Sequence, residues 1–439
     1  MEKDICKFIE AIKERIIYYR RDFHKYPEVG WTEFRTASKI ARRLTELGFD
    51  VKLGRDVLKE EDRMGLPSEE ELDFHYKRAL EQGADKEFIK PLKGGFTGVV
   101  GTMDLGDGPV LALRFDIDAL KIRENNGENH APSRLGFLSV NNDIMHACGH
   151  DCHAAIGLGV AEVLSNFKEK LDGYGTVKLI FQPAEEGVRG AKAMVGAGIL
   201  DDVDYVIGGH IGLVAQAGTL VCGVNGFMAT TKFDVSFKGL AAHAGGNPNK
   251  GKNTMLAACT SVLNLHSIPR HGKGASRINV GTLVSGTDRN IIPDSSIMKV
   301  ETRGETTEVN DYLRNYAVRI IENASKMHDV DYEIKYMGES ICAASSHELI
   351  NRVKNIGSNL KCFDNIINVF TTSGGSEDFN FMMDKVQKNG GQGVYFAIGT
   401  DIKGGHHNSL FDINEEDMLK AVKLFSVLCV DILNNHDKN

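Results

Sequence analysis

The sequence predicts an α/β protein of two domains: a main domain built on a mostly parallel sheet, and a smaller βαββαβ domain inserted into it. Three features carry that expectation. At 439 residues the chain exceeds what one typical core organises. Through its first half, short apolar runs of strand length alternate with stretches of helical periodicity. Near Gly226 the pattern changes to a strand-helix-strand-strand-helix-strand order before the first pattern returns. The expected divisions are 1–225 and 339–439 for the main, catalytic domain and 226–338 for the insert.

Taken in order, apolar residues recur at helical spacing over 5–19 and again over 36–47, with Gly48 closing the second run. Residues 55–93 are strongly charged and read as one or two exposed helices inserted between strands, ended by Gly94-Gly95. Apolar strands over 110–115, 177–181 and 205–208 are separated by helices over 154–167 and 187–196. That alternation predicts parallel strands, whose carboxyl ends are where such sheets place functional groups. In the insert, residues 231–237 alternate as a half-buried strand, with Phe233, Val235 and Phe237 on one face and Lys232, Asp234 and Ser236 on the other. A helix over 253–266, strands over 277–283 and 297–302, a helix over 308–327 and a strand over 332–336 complete a ferredoxin-like order. A helix over 415–433 ends the chain.

A hydrophobic fraction of 42%, with 26% charged residues, is that of an ordinary globular protein. The net charge of -8 argues against a nucleic-acid partner. No run approaches the roughly 18 apolar residues of a membrane helix, so no membrane partner is expected. The start, Met1-Glu2-Lys3-Asp4, lacks the apolar core of a secretory signal, and eight scattered cysteines fit a reducing compartment. A cytoplasmic location is therefore expected.

The densest chemistry is Met145-His146-Ala147-Cys148-Gly149-His150-Asp151-Cys152-His153, which crowds soft and borderline metal ligands into nine residues. It also reads as a histidine-rich helix start. Directly after an apolar strand comes Gln182-Pro183-Ala184-Glu185-Glu186-Gly187. Adjacent carboxylates repel, so the pair needs a cation or solvent. Either both are solvated in a first helical turn, or one binds metal while the other takes a proton from the attacking water. His210, in Gly208-Gly209-His210, and the late Gly404-Gly405-His406-His407-Asn408 are weaker candidates, with glycines that permit close backbone approach. Together these segments suggest metal-assisted hydrolysis by two divalent ions.

The combination of His-Ala-Cys-Gly-His-Asp, Gln-Pro-Ala-Glu-Glu-Gly and the late His-Asn-x-x-Phe resembles the M20 metallopeptidase family, in its aminoacylase-like branch, over nearly the whole chain. The resemblance implies a metal-dependent amidohydrolase with two metal ions, manganese first, zinc or cobalt as alternatives. It assigns Cys148, His150, Glu186, His210 and His407 as metal ligands and Glu185 as general base. His407 fits better than His406 because the family's histidine precedes a phenylalanine, here Phe411, by four residues. Asp116 and Asp118 would orient ligands. His243 would reach a neighbouring subunit's site and steady the oxyanion, while Asn290 and Arg303 would hold the substrate's carboxylate. Gly375 matches a turn lining the pocket, although that segment also reads as a helix N-cap. Phe115, where relatives carry a small residue, is expected to narrow the site wall.

The charged segment over 55–93 and Gly94-Gly95-Phe96-Thr97-Gly98 further resemble the subgroup of that family that splits p-aminobenzoyl-glutamate into p-aminobenzoate and glutamate. The alternatives are a broader N-acyl-amino-acid amidohydrolase of the hippurate-cleaving kind, or a non-catalytic component of a heteromeric enzyme. The inserted domain would serve as lid and dimerisation surface. The implied partners are a small acyl-amino acid and either a second copy or a related B-type subunit.

Overall fold

The computed structural model describes residues 1–171 and 173–434. Its strands, in chain order, are β1 (Asp50–Leu53), β2 (Val99–Asp104), β3 (Val110–Asp116), β4 (Thr176–Gln182), β5 (Tyr205–Ile211), β6 (Thr219–Val221), β7 (Ala229–Lys238), β8 (Ser276–Ser285), β9 (Ser295–Gly304), β10 (Asp331–Ser340), β11 (Asn365–Ile367) and β12 (Gln392–Ile398). Short bridges at 224–225 and 370–371 add a two-stranded ribbon.

The larger sheet has the order β1-β2-β4-β3-β5-β12-β6-β11. Its centre, β4-β3-β5-β12, is parallel. β5 is buried along its full length, as parallel strands covered on both faces must be. The antiparallel edge formed by β1 and β2 was not foreseen from sequence.

The helix His150–Phe167 is buried nearly throughout and crosses beneath the sheet. Gly157 permits this approach, since a Cβ there would lie 2.6 Å from Phe181 and 2.7 Å from Phe115. The first expected helix divides at Ile12 into Glu2–Ala11 and Lys13–Lys25. The charged segment holds one α-helix, Glu69–Glu81, started by a capping box between Ser68 and Glu71. The helix expected from residue 187 begins only at Gly190, because Gly187 and Val188 take positive φ.

The smaller sheet is antiparallel throughout, in the order β10-β7-β9-β8. The helices Thr254–His266 and Thr307–Met327 cover one face, where Phe233, Val235, Phe237, Met298 and Leu313 form a separate core. Lys232 and Glu301 face each other across β7 and β9 on the opposite face. Among the described residues no helix is long and apolar enough to cross a membrane.

A buried ionic network clamps the N-terminal helices to the start of His150–Phe167. Arg20 donates to Asp151 at 2.9 Å, Asp412 at 2.7 Å and Glu415 at 3.1 Å. His24 lies 2.8 Å from both Asp151 and Glu124. Burial disfavours its imidazolium, but those carboxylates outweigh it and raise its pKa from 6.5 to about 9. The folded value lies above the unfolded one, so this contribution is full below pH 6.5 and is lost as pH rises through 9, a span worth about 3 kcal/mol. Urea unfolding midpoints are expected to fall between pH 6.5 and 9, and His24→Gln should flatten that slope. An unchanged slope in the variant would remove His24 from the account.

Candidate metal centre

The carboxyl ends of β3, β4, β5 and β12 meet at one cleft. Asp116 ends β3, with Asp118 two residues beyond; Glu185 and Glu186 follow β4; His210 lies within β5; His407 follows β12. His150 enters as the first residue of the facing helix, and Cys148 from the segment just before it. Gly149 makes this reversal possible at φ 92°, with Ile211 3.1 Å from where a Cβ would sit. The nine-residue cluster is therefore a helix start as well as a ligand source.

The turn after β4 holds Ala184 and Val188 at φ 52° and 60°, conformations that cost a residue with a Cβ about 1 kcal/mol or more. Side-chain carboxylates hold it in place. Glu33 accepts the Ala184 N–H at 2.8 Å, and the buried Asp118 accepts those of Glu185 and Glu186 at 3.1 and 2.9 Å. The same acceptors point the two glutamates into the cleft instead of letting them open a helix.

Asp118 also sets a tautomer. Its carbonyl oxygen lies 3.0 Å from His150 Nδ1, and the Ile211 carbonyl lies 2.7 Å from His210 Nδ1. With Nδ1–H donated in each case, each ring in its neutral form would turn its Nε2 lone pair to the cleft. His150 Nε2 is buried there without a hydrogen-bond partner among the described residues. Cys148 Sγ lies 3.6 Å from His210 Nε2, and His407 Nε2 lies 3.3 Å from Glu186 Oε1. Potential ligand atoms gather within 4.8 Å in five overlapping sets: Cys148, His150 and His210; Cys148, Glu186 and His407; His150, Glu185 and Glu186; Asp116, His150 and His153; and Glu185, Glu377 and Asp378.

Thiol, imidazole and carboxylate donors of this kind suit a pair of divalent ions. Burial and the neighbouring Glu186 push the Cys148 thiol pKa far up, so ionising it as a ligand calls for a cation beside it. His406 sits behind, 3.5 Å from Cys148 Sγ and 3.2 Å from the Gly212 carbonyl.

The rest of the nine-residue cluster faces elsewhere. Cys152 is core, and His146 is buried with neither ring nitrogen hydrogen-bonded among the described residues. His153 uses both nitrogens structurally: Nδ1 lies 2.5 Å from Asp116 Oδ1, and Nε2 accepts the Ile211 N–H at 3.0 Å. Asp116 is thereby held between His153 and Arg114, whose guanidinium donates to it at 2.6 Å. Arg114 also reaches Gln182, Glu377 and Asp378. The sequence counts His153 only as one ligand of the nine-residue cluster and Glu377 only within the pocket-lining turn, and gives Arg114 no role; the alternation Arg114-Phe115-Asp116 is the available signal that Arg114 and Asp116 share a face.

Glu185 borders this acidic group. Its Oε2 lies 3.9 Å from His150 Nε2. Burial, then the carboxylates of Glu377, Glu186 and Asp378, hold its pKa well above the usual carboxylate range.

A cavity of about 270 Å³ opens beside it, lined among others by Glu186, Lys232, Arg303, Gly375, Ser376 and His407. Arg303 donates to both oxygens of Glu301 at 3.0 Å and to the Gly374 carbonyl at 2.6 Å, joining the smaller sheet to the 374–378 turn. Within that turn Glu377 accepts the Phe379 N–H at 3.0 Å just before the helix Asn380–Lys388. His243 and Asn290 lie together on exposed loops, with the Ala244 N–H 2.9 Å from the Asn290 carbonyl, and neither lines the cavity. The expectation for Phe115 is corrected: its ring packs into the core against Phe181 and Phe425, at centroid separations of 5.6 and 5.1 Å, and does not border the cavity.

The family model described as peptidase family M20/M25/M40 matches residues 112–430. A p-aminobenzoyl-glutamate hydrolase subunit of Escherichia coli (strain K12) is 46% identical over 422 residues, covering 96% of each chain. The indole-3-acetyl-aspartic acid hydrolase of Enterobacter agglomerans is 45% identical over 426 residues, covering 97% of each. Among solved structures, an aminobenzoyl-glutamate utilization protein from Klebsiella pneumoniae matches at TM-score 0.84 and 41% identity, over 98% of this chain and 97% of that one. A Bacillus subtilis protein described as a dinuclear metal binding peptidase matches at TM-score 0.66 and 25% identity, over 97% and 99%.

Because the Asp118 carboxylate also lies 3.2 Å from His150 Nδ1 and holds the glutamate turn, Asp118→Ala is expected to weaken divalent-metal affinity by roughly 10- to 100-fold. Calorimetric titration of stripped protein with Mn²⁺ measures this. Wild-type affinity in the variant would contradict the role given to Asp118.

Proposed function

The chain belongs to peptidase family M20/M25/M40, and from that premise we propose that this amide hydrolase cleaves p-aminobenzoyl-glutamate to p-aminobenzoate and glutamate. The observation that carries the reading is Glu185, a buried carboxyl held basic beside five potential metal ligands, at the edge of a cavity that also holds two cationic side chains. Relatives of near-equal length, named for acyl conjugates of glutamate and aspartate, support the substrate.

In this reading Cys148, His150, Glu186, His210 and His407 hold two divalent ions, manganese by preference. When bound, such ions acidify an attacking water and polarise the amide carbonyl. Glu185 takes the water's proton and passes it to the departing glutamate nitrogen. The same crowding that raises its pKa favours its holding that proton between the two transfers. Asp118 keeps Glu185 aimed through the backbone, while Asp116 lies 3.8 Å from His150 Nε2, braced by Arg114 and His153.

Arg303, Asn290 and Gly375 are assigned to the amino acid end of the substrate. His243, exposed on its loop, would serve a neighbouring subunit's oxyanion, with residues 226–338 acting as lid and dimerisation unit. The assembly would be a homodimer or a pair with a related B-type subunit, working in the cytoplasm. One observation favours a second acyl group, indole-3-acetyl in place of p-aminobenzoyl: the relative named for it matches as well as the p-aminobenzoyl-glutamate relative does.

Metal-stripped protein is expected to release p-aminobenzoate only after Mn²⁺ is restored. Glu185→Gln should lower turnover by roughly 10²- to 10⁴-fold with metal content unchanged. Full turnover in that variant would overturn the assignment of Glu185. Indole-3-acetyl-aspartate cleaved far faster than p-aminobenzoyl-glutamate would move the substrate to the second reading.

A further inference from the structure

The cavity has two chemically different ends. One is the acidic, metal-ligating wall of Glu185, Glu186 and His407. The other is the polar face of the smaller sheet, which brings Lys232 from β7 and Arg303 from β9 to the same space.

These two cations differ in how far they are already compensated. Arg303 is paired with both oxygens of Glu301 and also donates to the Gly374 carbonyl. Lys232 lies directly opposite Glu301 in the strand register, yet its Nζ makes no hydrogen bond or ion pair within 4.0 Å among the described residues. Glu301 is committed to Arg303, so Lys232 reaches the cavity as a partly buried cation with only longer-range attraction to Glu301, Glu185 and Glu186. Burial depresses its pKa more than those carboxylates restore it, which is the signature of a charge whose desolvation is not repaid. An anionic group entering the cavity would repay it.

We propose that Lys232 is a specificity-determining residue that binds the side-chain carboxylate of an acidic amino acid, so that the enzyme selects N-acyl conjugates of glutamate or aspartate over those of neutral amino acids. This deepens the proposed function and rests on it for the amide chemistry, but not for the identity of the acyl group. A lysine suits the task because one flexible point charge can meet side-chain carboxylates of differing reach, whereas the Arg303 fork is fixed by its three existing hydrogen bonds. The opposite, apolar face of β7 is occupied by Phe233 and Val235 in the core, so the strand's alternation commits Lys232 to the cavity side. Nothing in the acidic wall competes for this role, since a substrate carboxylate there would meet Glu185, Glu186 and Glu377.

The test compares kcat/KM for p-aminobenzoyl-glutamate and p-aminobenzoyl-glutamine, and for the matching benzoyl pair, in the Mn²⁺-loaded wild type, Lys232→Met and Lys232→Arg. The wild type is expected to prefer the glutamate member of each pair. Lys232→Met should reduce that preference by roughly 10- to 100-fold, mainly through KM, as loss of a charged hydrogen bond does. Lys232→Arg should restore part of it. Metal content and circular dichroism of each variant check that the site and fold persist. An equal fall for both members of a pair would overturn the proposal, because Lys232 would then be acting on the metal wall or on the fold. No wild-type preference, or a preference unchanged in Lys232→Met, would overturn it as well. If the benzoyl pair shows the expected behaviour while neither p-aminobenzoyl substrate is cleaved, the acyl group of the proposed function fails and the role of Lys232 stands.

Discussion

The arrangement of the site depends on one buried carboxylate, Asp118, accepting two successive backbone N–H groups from the turn after β4 and flanking the His150 ring. It couples three pieces of chain that are distant in sequence: the end of β3, the Glu185-Glu186 turn and the start of the long buried helix. With Glu33, which accepts the Ala184 N–H, it holds a turn in which Ala184 and Val188 take strained positive φ. Both N–H groups would need other acceptors in a region with little water. A carboxylate with fixed acceptors is the simplest device that keeps two adjacent glutamates facing the same cleft despite their repulsion.

Around that point the charges are ordered by distance from the cleft. Arg114, fully buried in β3, gathers Asp116, Gln182, Glu377 and Asp378, so the cation sits behind the acidic wall and not in it. At the front are left His150 Nε2, which has no hydrogen-bond partner among the described residues, and Glu186 Oε1, which faces only His407 Nε2 at 3.3 Å. Buried polar atoms without partners are costly in a finished core. Here they are concentrated where divalent ions would satisfy several at once. Lys232 and Arg303 belong to the separate smaller sheet, so the distance between the cationic and acidic walls is set by how the two sheets meet across the 374–378 turn.

Much of this was legible in the sequence, to different depths. Strand alternation and helical periodicity gave the parallel centre and the βαββαβ order, because long, strongly patterned segments announce their burial. β2 was missed: Val-Val-Gly-Thr-Met-Asp is short, and its glycine reads as a loop, although Gly101 is there to let Leu44 approach. The turn after β4 reads as helical from 187 in the sequence, since nothing local reveals that Asp118 and Glu33 hold its backbone open. Within the histidine cluster, nothing in the spacing alone separates His150 from His153. That distinction comes from the helix starting at His150, which turns His153 towards β5. The polar parity of Lys232 was visible in the alternation of β7, but that this face closes a cavity was a property of tertiary packing alone.

Whether this cleft holds two divalent ions on one defined donor set is tested most directly by anomalous diffraction from crystals soaked in Mn²⁺. Two peaks per chain are expected, lying between Cys148, His150, Glu186, His210 and His407, with none on His153. A single peak, or density on the Asp116–His153 pair instead, would contradict the claim.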